Sequence, residues 1–221
     1  MRVKPKILDL YCCTGSGSEG YADAGFEVTG VEIDLKCEKH YPYKFINKDV
    51  LTLDVDFIKQ FDLVSASPPC QSFSLLKHRT GKDYPNLIPQ TRELLIESGV
   101  DYIIENVEQA KDDLKNPVTL CGTHFDLGAN CKDGVYRQLW RHRVFETNFD
   151  VVSPGPCKHQ GQPIGLYGSG GGGPQNRGYK AYAAEGREAM GAKHYSPRGY
   201  LNQGIPPAYT YYLAEQWLQS K

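Results

Sequence analysis

Residues 61–74 read Phe-Asp-Leu-Val-Ser-Ala-Ser-Pro-Pro-Cys-Gln-Ser-Phe-Ser, a short apolar run that passes straight into a Pro-Pro turn and a cysteine. Leu63, Val64 and Ala66 suit a strand covered on both faces, and Pro68 and Pro69 end its ladder because neither ring donates a backbone hydrogen bond. In an open parallel sheet, ligands sit just beyond the carboxyl ends of the strands. Cys70 therefore stands where chemistry is usually done, although a free cysteine taken alone is more often a small core residue. The flanking segments decide between the two.

Upstream, Ile7–Tyr11 is a strand, and Cys12-Cys-Thr-Gly-Ser-Gly-Ser-Glu-Gly20 is a turn opening a helix that closes at Gly25. Gly15, Gly17 and Gly20 match G-x-G-x-x-G in the strand-turn-helix setting this motif needs. A second strand, Phe26–Ile33, ends near Glu32 and Asp34, a helix covers 35–41, and a third strand over 44–46 leads to Asp49. Such alternation predicts an α/β fold with right-handed crossovers, a mostly parallel sheet and helices on both faces. Glu32 can accept from ribose hydroxyls and Asp49 from an adenine amino group, which fits NAD and S-adenosylmethionine equally. The bland alternative is a tight turn beside exposed acids.

Downstream, a polar loop over 72–89 carries Lys77, His78, Arg79 and Lys82, and a helix over 91–98 stops at Gly99. The strand Val100–Ile104 then delivers Glu105-Asn106-Val107 to the same edge as Cys70. Tyr136–Thr147 looks β-like, so Arg141 and Arg143 share one face of it. From Asn148 to Ala184 the chain turns to glycine, proline and polar residues, predicting an irregular excursion rather than a second core. Pro206 and Pro207 open a last helix to Trp217 that buries Tyr211, Leu213 and Leu218. The expected division is a catalytic and cofactor-binding core over 1–147, a short segment over 148–184, and a return to the core over 185–221.

With 221 residues, 40% hydrophobic, 23% charged and a net charge of -1, the chain has ordinary globular values and no global field toward polyanions. Seven cysteines without small-domain spacing suggest a reducing compartment. No signal-peptide or bilayer-spanning run is present, so a cytoplasmic protein without a membrane partner is expected. Hydride-transfer machinery is missing. Instead a thiol, a carboxylic acid and paired arginines suit nucleophilic attack on an electron-poor ring, with Lys77 and Arg79 near enough in sequence to favour a Cys70 thiolate. A buried Glu105 with a raised pKa could donate to a ring nitrogen. Cys121, His124, Cys131, Cys157 and His159 are conceivable zinc ligands, but their spacings match no common C-x-x-C pattern and no metal is expected.

These residues resemble the cytosine-C5 DNA methyltransferase family. Asp9-Leu-Tyr-Cys-Cys-Thr-Gly-Ser-Gly17 is similar to its cofactor loop, Val31-Glu-Ile-Asp34 to its ribose-binding strand end, and Lys48-Asp49-Val50 to its adenine contact. Ser67-Pro-Pro-Cys-Gln-Ser-Phe-Ser74 resembles the nucleophile motif and Glu105-Asn-Val107 the acid motif. The resemblance implies a Rossmann-like fold and S-adenosylmethionine held by Asp9, Tyr11, Cys12, Thr14, Gly15, Ser16, Gly17, Glu32, Ile33, Asp49, Val50, Pro69 and Gln203. It implies that a cytosine is flipped out, that Cys70 adds to C6, and that Glu105 bonds N3. Arg143 would hold O2, Arg141 would support Cys70 or a phosphate, and Asn106 would fix the turn. Gln71, Ser74, Lys77 and Arg79 would contact DNA, with Gln175, Arg177 and Lys180 as base or phosphate readers. Such a chain would serve DNA methylation, as in restriction–modification.

The chain departs from the family pattern at Leu139-Trp-Arg141-His-Arg143, where Gln-x-Arg-x-Arg is usual, and at Asn202-Gln-Gly-Ile-Pro-Pro207, where Gln203 replaces an asparagine. Cys12-Cys13-Thr14 also replaces an Ala-Gly pair. The stretch up to Arg187, about forty residues, is short for a target-recognition domain. An RNA methylase would share every motif. A non-catalytic nucleic-acid or dinucleotide-binding protein would be expected to lack the thiol or the acid, and an oxidoreductase would need a hydride site.

Overall fold

The computed structural model describes residues 4–73, 84–166, 178–194 and 196–221. The apolar runs become β1 (Lys6–Leu10), β2 (Glu27–Glu32), β3 (Lys44–Asn47), β4 (Leu63–Ala66), β5 (Asp101–Val107) and β6 (Val118–Leu120). Then follow β7 (Gly128–Asn130), β8 (Tyr136–Gln138), β9 (Arg143–Thr147), β10 (Ile164–Gly165) and β11 (Tyr179–Lys180). Seven of them form one sheet in the order β3-β2-β1-β4-β5-β9-β6. β1 to β5 pair in parallel, whereas β9 runs antiparallel to β5 and β6. The main helices are α1 (Ser16–Asp23), α2 (Val55–Ile58), α3 (Ile88–Ser98), α4 (Ala183–Met190), α5 (Arg198–Leu201) and α6 (Pro207–Gln219).

Side chains alternate faces along a strand, so Ile7, Leu63 and Ile103 pack on one side of the sheet and Leu8, Val64 and Ile104 on the other. The first face is covered by α1 and α6 through Tyr21, Tyr209, Leu213 and Trp217. The second is covered by α2 and α3 through Ile58, Ile88 and Leu95. This is the Rossmann-like α/β arrangement that the alternation predicts. Among the described residues, no helix is long and apolar enough to cross a membrane.

Three local expectations change. The buried face of α6 is Tyr209, Thr210, Leu213, Ala214 and Trp217, while Tyr211 is exposed and Leu218 only partly covered. The β-like run 136–147 breaks in two, because β8 leaves the sheet to pair with β7 and only β9 returns. Residues 148–184 are also not wholly without a core. Ile164, Leu166 and Ala181 are buried with Ala129, Leu139, Met190 and Leu201 in a third apolar cluster, each contributed singly from a polar context.

α1 and α6 meet where no side chain intervenes. A Cβ at Gly20 would lie 2.0 Å from the carbonyl oxygen of Pro207 and 2.1 Å from Thr210 Oγ1. Both obstacles are anchored, since Thr210 Oγ1 donates to the carbonyls of Gly17 and Pro207. Gly20→Ala is therefore expected to lower stability by about 1–3 kcal/mol, the usual range for overpacking. A urea midpoint equal to wild type would show instead that the helices separate freely.

Candidate active site

β1 pairs with β2 on one side and β4 on the other, so the chain order reverses between β1 and β4. An open sheet binds ligands at such a crevice, beyond the carboxyl ends. A cavity of about 570 Å³ opens there, lined from the β1, β2 and β3 ends on one side and the β4 and β5 ends on the other.

On the first side, Tyr11 (φ 59°), Cys13 (φ 49°) and Gly15 (φ 85°) take the left-handed conformation. The turn brings the Cys13 N–H to Glu32 Oε2 at 3.1 Å, and the Asp34 N–H donates to Glu32 Oε1 at 3.0 Å. Asp49 Oδ1 accepts from the Leu51 N–H at 3.0 Å. Ile33, 66% exposed, and Leu51 add apolar surface to the cavity. Asp9 is buried and accepts a short hydrogen bond from Ser18 Oγ. Burial pushes its carboxyl up to about 7 against the pull of Ser18, with Glu32 and Glu105 adding to the rise. The C-terminal segment closes this side, with Thr14 Oγ1 2.8 Å from Ser196 Oγ and Ser16 Oγ donating to the Ile205 carbonyl at 2.8 Å.

On the second side, Cys70 begins a single 3₁₀ turn, Cys70–Phe73, after the proline pair. Asn106 Nδ2 donates to the Pro68 carbonyl at 2.9 Å, while its Oδ1 accepts from the Val107 N–H at 2.9 Å. One buried amide thus locks the end of β5 to the loop carrying Cys70. Glu105 lies within β5 and is buried, 2.9 Å through Oε1 from Arg143 Nε. That contact is charge pairing without an aligned hydrogen bond, and Oε1 accepts none from the described residues. Burial pushes the Glu105 carboxyl upward, opposed by Arg143, Arg141 and the Ser67 hydroxyl.

Cys70 is exposed as a residue, yet the surrounding atoms desolvate its sulfur. Desolvation and then Glu105 push the thiol up, and Arg143 and Arg141 only partly offset them. The described surroundings therefore favour the thiol over the thiolate at rest. Lys77 and Arg79, the cations nearest in sequence, lie outside the described residues, as do Ser74, Gln175 and Arg177.

The remaining expected residues sort by place. All the expected cofactor residues except Gly15 line the cavity, as do Cys70, Gln71, Glu105 and Arg143. Gly15 shapes the turn, and a Cβ there would come within 2.9 Å of Tyr41 Cδ2. Lys180 is exposed in β11, away from the cavity lining. Arg141 also leaves the expected position. Its buried guanidinium donates to the carbonyls of Gly204, Leu166 and Asn202 at 3.0, 2.8 and 2.8 Å, so it ties down the 202–204 segment rather than facing a phosphate. Tyr200 and Ile205 join the lining without a local sequence signal. Asp34 had one, as the acid ending β2 beside Glu32.

Residues 5–120, more than half of the chain, match the C-5 cytosine-specific DNA methylases. The chain belongs to that family. It is 30% identical over 113 residues to the type II methyltransferase M.DdeI of Desulfomicrobium norvegicum, a match spanning 46% of this chain and only 27% of that relative. The methyltransferase EhMeth of Entamoeba histolytica superposes with a TM-score of 0.60 at 10% identity, covering 99% of both chains, a likeness of fold. The S. pombe Dnmt2 methyltransferase aligns with a TM-score of 0.46 at 16% identity over 68% of this chain and 52% of its own.

Members of this family draw the methyl group from S-adenosylmethionine, and the residues of this chain fit that molecule. Each carboxylate oxygen offers two lone pairs, so Glu32, engaged once at each oxygen by a backbone N–H, keeps one on each for a ribose hydroxyl. Asp49 retains acceptor capacity for an adenine amino group, and Ile33 and Leu51 present apolar surface suited to the flat base.

Proposed function

We propose that this chain methylates C5 of a cytosine in a nucleic acid by attaching Cys70 to C6 of the flipped-out base. The observation that supports this most directly is the shared cavity, which joins the adenosine-type pocket to Cys70, Arg143 and a buried Glu105 whose Oε1 has no hydrogen-bond donor among the described residues. Flipping costs a few kcal/mol of unstacking. Cys70 passes its proton to the Glu105 carboxylate and bonds to C6 while Glu105 hands that proton on to N3, so electron density moves to C5 and the adduct stays neutral. When bound, S-adenosylmethionine supplies an electrophilic methyl group to this carbon. A water molecule takes the C5 proton as the C6–S bond breaks and Cys70 leaves as thiolate, and N3 returns its proton to Glu105. Arg143 orients Glu105 and in this reading bonds O2; Asn106 and Arg141 act as positioning residues.

Residues 148–184 serve in this reading as a short recognition segment between a 1–147 core and the 185–221 return. The family and M.DdeI favour DNA as the polymer. The small recognition segment favours a substrate recognised by its shape, for which folded RNA is the natural case. Tritiated S-adenosylmethionine offered with duplex DNA, folded RNA and free cytidine nucleotides separates these, and label in none of the three would sink the proposal.

The cofactor side has its own test. Losing a charged hydrogen-bond partner costs about 1.5–3 kcal/mol, so Glu32→Ala is expected to weaken S-adenosylhomocysteine binding about ten- to a hundredfold in calorimetry. Unchanged affinity would remove Glu32 from the ribose site.

A further inference from the structure

Behind the arginine segment, four side chains from distant parts of the sequence converge. β6 and β9 are antiparallel with Leu120 opposite Arg143, so continuing the register by one residue brings Cys121 opposite His142. Cys157 and His159, two positions apart in an extended stretch, then present their side chains to this pair. The ligand atoms of Cys121, His142, Cys157 and His159 all lie within 4.8 Å of one another. Cys121 Sγ is 3.2 Å from His159 Nε2, and His142 Nε2 is 3.4 Å from Cys157 Sγ.

We propose that these four residues form a structural zinc site, which fixes the segment 141–143 against the loop at 157–159. A tetrahedral zinc with two thiolates and two imidazoles has ligand atoms about 3.3–3.8 Å apart, given Zn–S near 2.3 Å and Zn–N near 2.0–2.1 Å. The two S···N contacts, 3.2 and 3.4 Å, sit just inside the S–N separation of such a centre, and all four ligand atoms stay within 4.8 Å of one another. Two thiolates neutralise the dication, so the partly buried centre carries no net charge, and soft sulfur with imidazole selects zinc over magnesium or calcium. Four protein ligands leave no open position, hence a structural rather than a hydrolytic role.

The surroundings suit such a site. Glu108 Oε2 stands 3.6 Å from His142 Nδ1, beyond a hydrogen bond but close enough to favour a proton there and leave the Nε2 lone pair for the metal. The 157–160 loop is pinned independently. Gln138 Oε1 accepts from the Gln160 N–H at 2.7 Å, the Lys158 N–H donates to Thr123 Oγ1 at 3.1 Å, and Trp140 stacks on the His159 ring at 4.3 Å. His124 and Cys131, which spacing alone brings into consideration, do not join. His124 Nδ1 accepts from the Cys121 N–H at 3.2 Å, and Cys131 is buried in the third apolar cluster.

The full chain, produced in zinc-supplemented medium and purified under reductant, is expected to carry one zinc ion per chain by elemental mass spectrometry. Exchange into cobalt(II) should give the visible d–d bands of a tetrahedral thiolate centre. His159→Gln alters an exposed residue and should leave the fold intact, yet zinc content should drop at least tenfold and the cobalt bands should vanish. Cys131→Ser should retain both. A wild-type protein free of zinc and without cobalt bands overturns the proposal. So does full zinc in His159→Gln, or a native mass showing a Cys121–Cys157 disulfide under the same reducing conditions.

Discussion

Cys70→Ala is expected to reduce methyl transfer to background and to abolish covalent trapping by 5-fluorocytosine in nucleic acid, while cofactor binding stays intact. Other thiols share the cavity. Cys12, Cys13 and Cys37 line it at the adenosine end, and burial pushes all three upward. Their charged neighbours are mainly acids, Glu32 first among them for Cys13, which oppose thiolate formation further. Cys70 alone among these has arginines pulling the other way. A fluorinated base cannot lose its C5 substituent in the normal manner, so the attacking sulfur remains attached and the complex survives denaturing electrophoresis. A trapped complex in Cys70→Ala would move the nucleophile elsewhere.

Glu105→Gln is expected to slow turnover by about a hundred- to ten-thousandfold, the usual contribution of a positioned general acid. Its pH dependence is more diagnostic than its size. The reactive form needs a deprotonated Cys70 and a protonated Glu105, and burial pushes both groups up, the thiol from the higher ordinary value, which favours thiol and carboxylate as the resting pair. The reactive form differs from it only by one internal proton transfer. The population of that form is consequently flat between the two pKa values, falling below the carboxyl's and above the thiol's. With glutamine only the thiolate matters, so kcat/KM should climb with pH over the range where wild type is level. Removing the carboxylate also relieves one cause of the raised thiol pKa, which shifts the climb to lower pH. Parallel profiles in the two proteins would exclude Glu105 as the proton donor.

Much of this site is legible in the sequence because a parallel sheet places its functional groups just after strand ends. Such a position is contiguous in the chain: an apolar run, then a glycine turn, a proline pair or an acid. Asp49 and Cys70 follow this rule, Glu32 is the last residue of β2 and Glu105 lies near the end of β5, and their common edge follows from parallel strands all ending on one side. The strand expected over 100–104 differs from β5 only in length, since Glu105 and Asn106 continue the ladder opposite Phe145 and Val144.

What sequence by itself determined was therefore the fold class, the switch-point edge and the side chains arrayed along it, all signals carried within a dozen residues by periodicity and turn chemistry. Tertiary structure alone decided the rest. Arg141 reads as an active-site cation until the carbonyls of Leu166, Asn202 and Gly204 surround it. Glu146, within the β-like run, is buried and receives Arg92 Nε and Nη2 at 2.8 and 2.6 Å. His142, between the two arginines, is set opposite Cys121 by the β6–β9 register. In each case the partner lies tens of residues away, and an antiparallel register or a returning C-terminal loop, rather than any local preference, brings the groups within bonding distance.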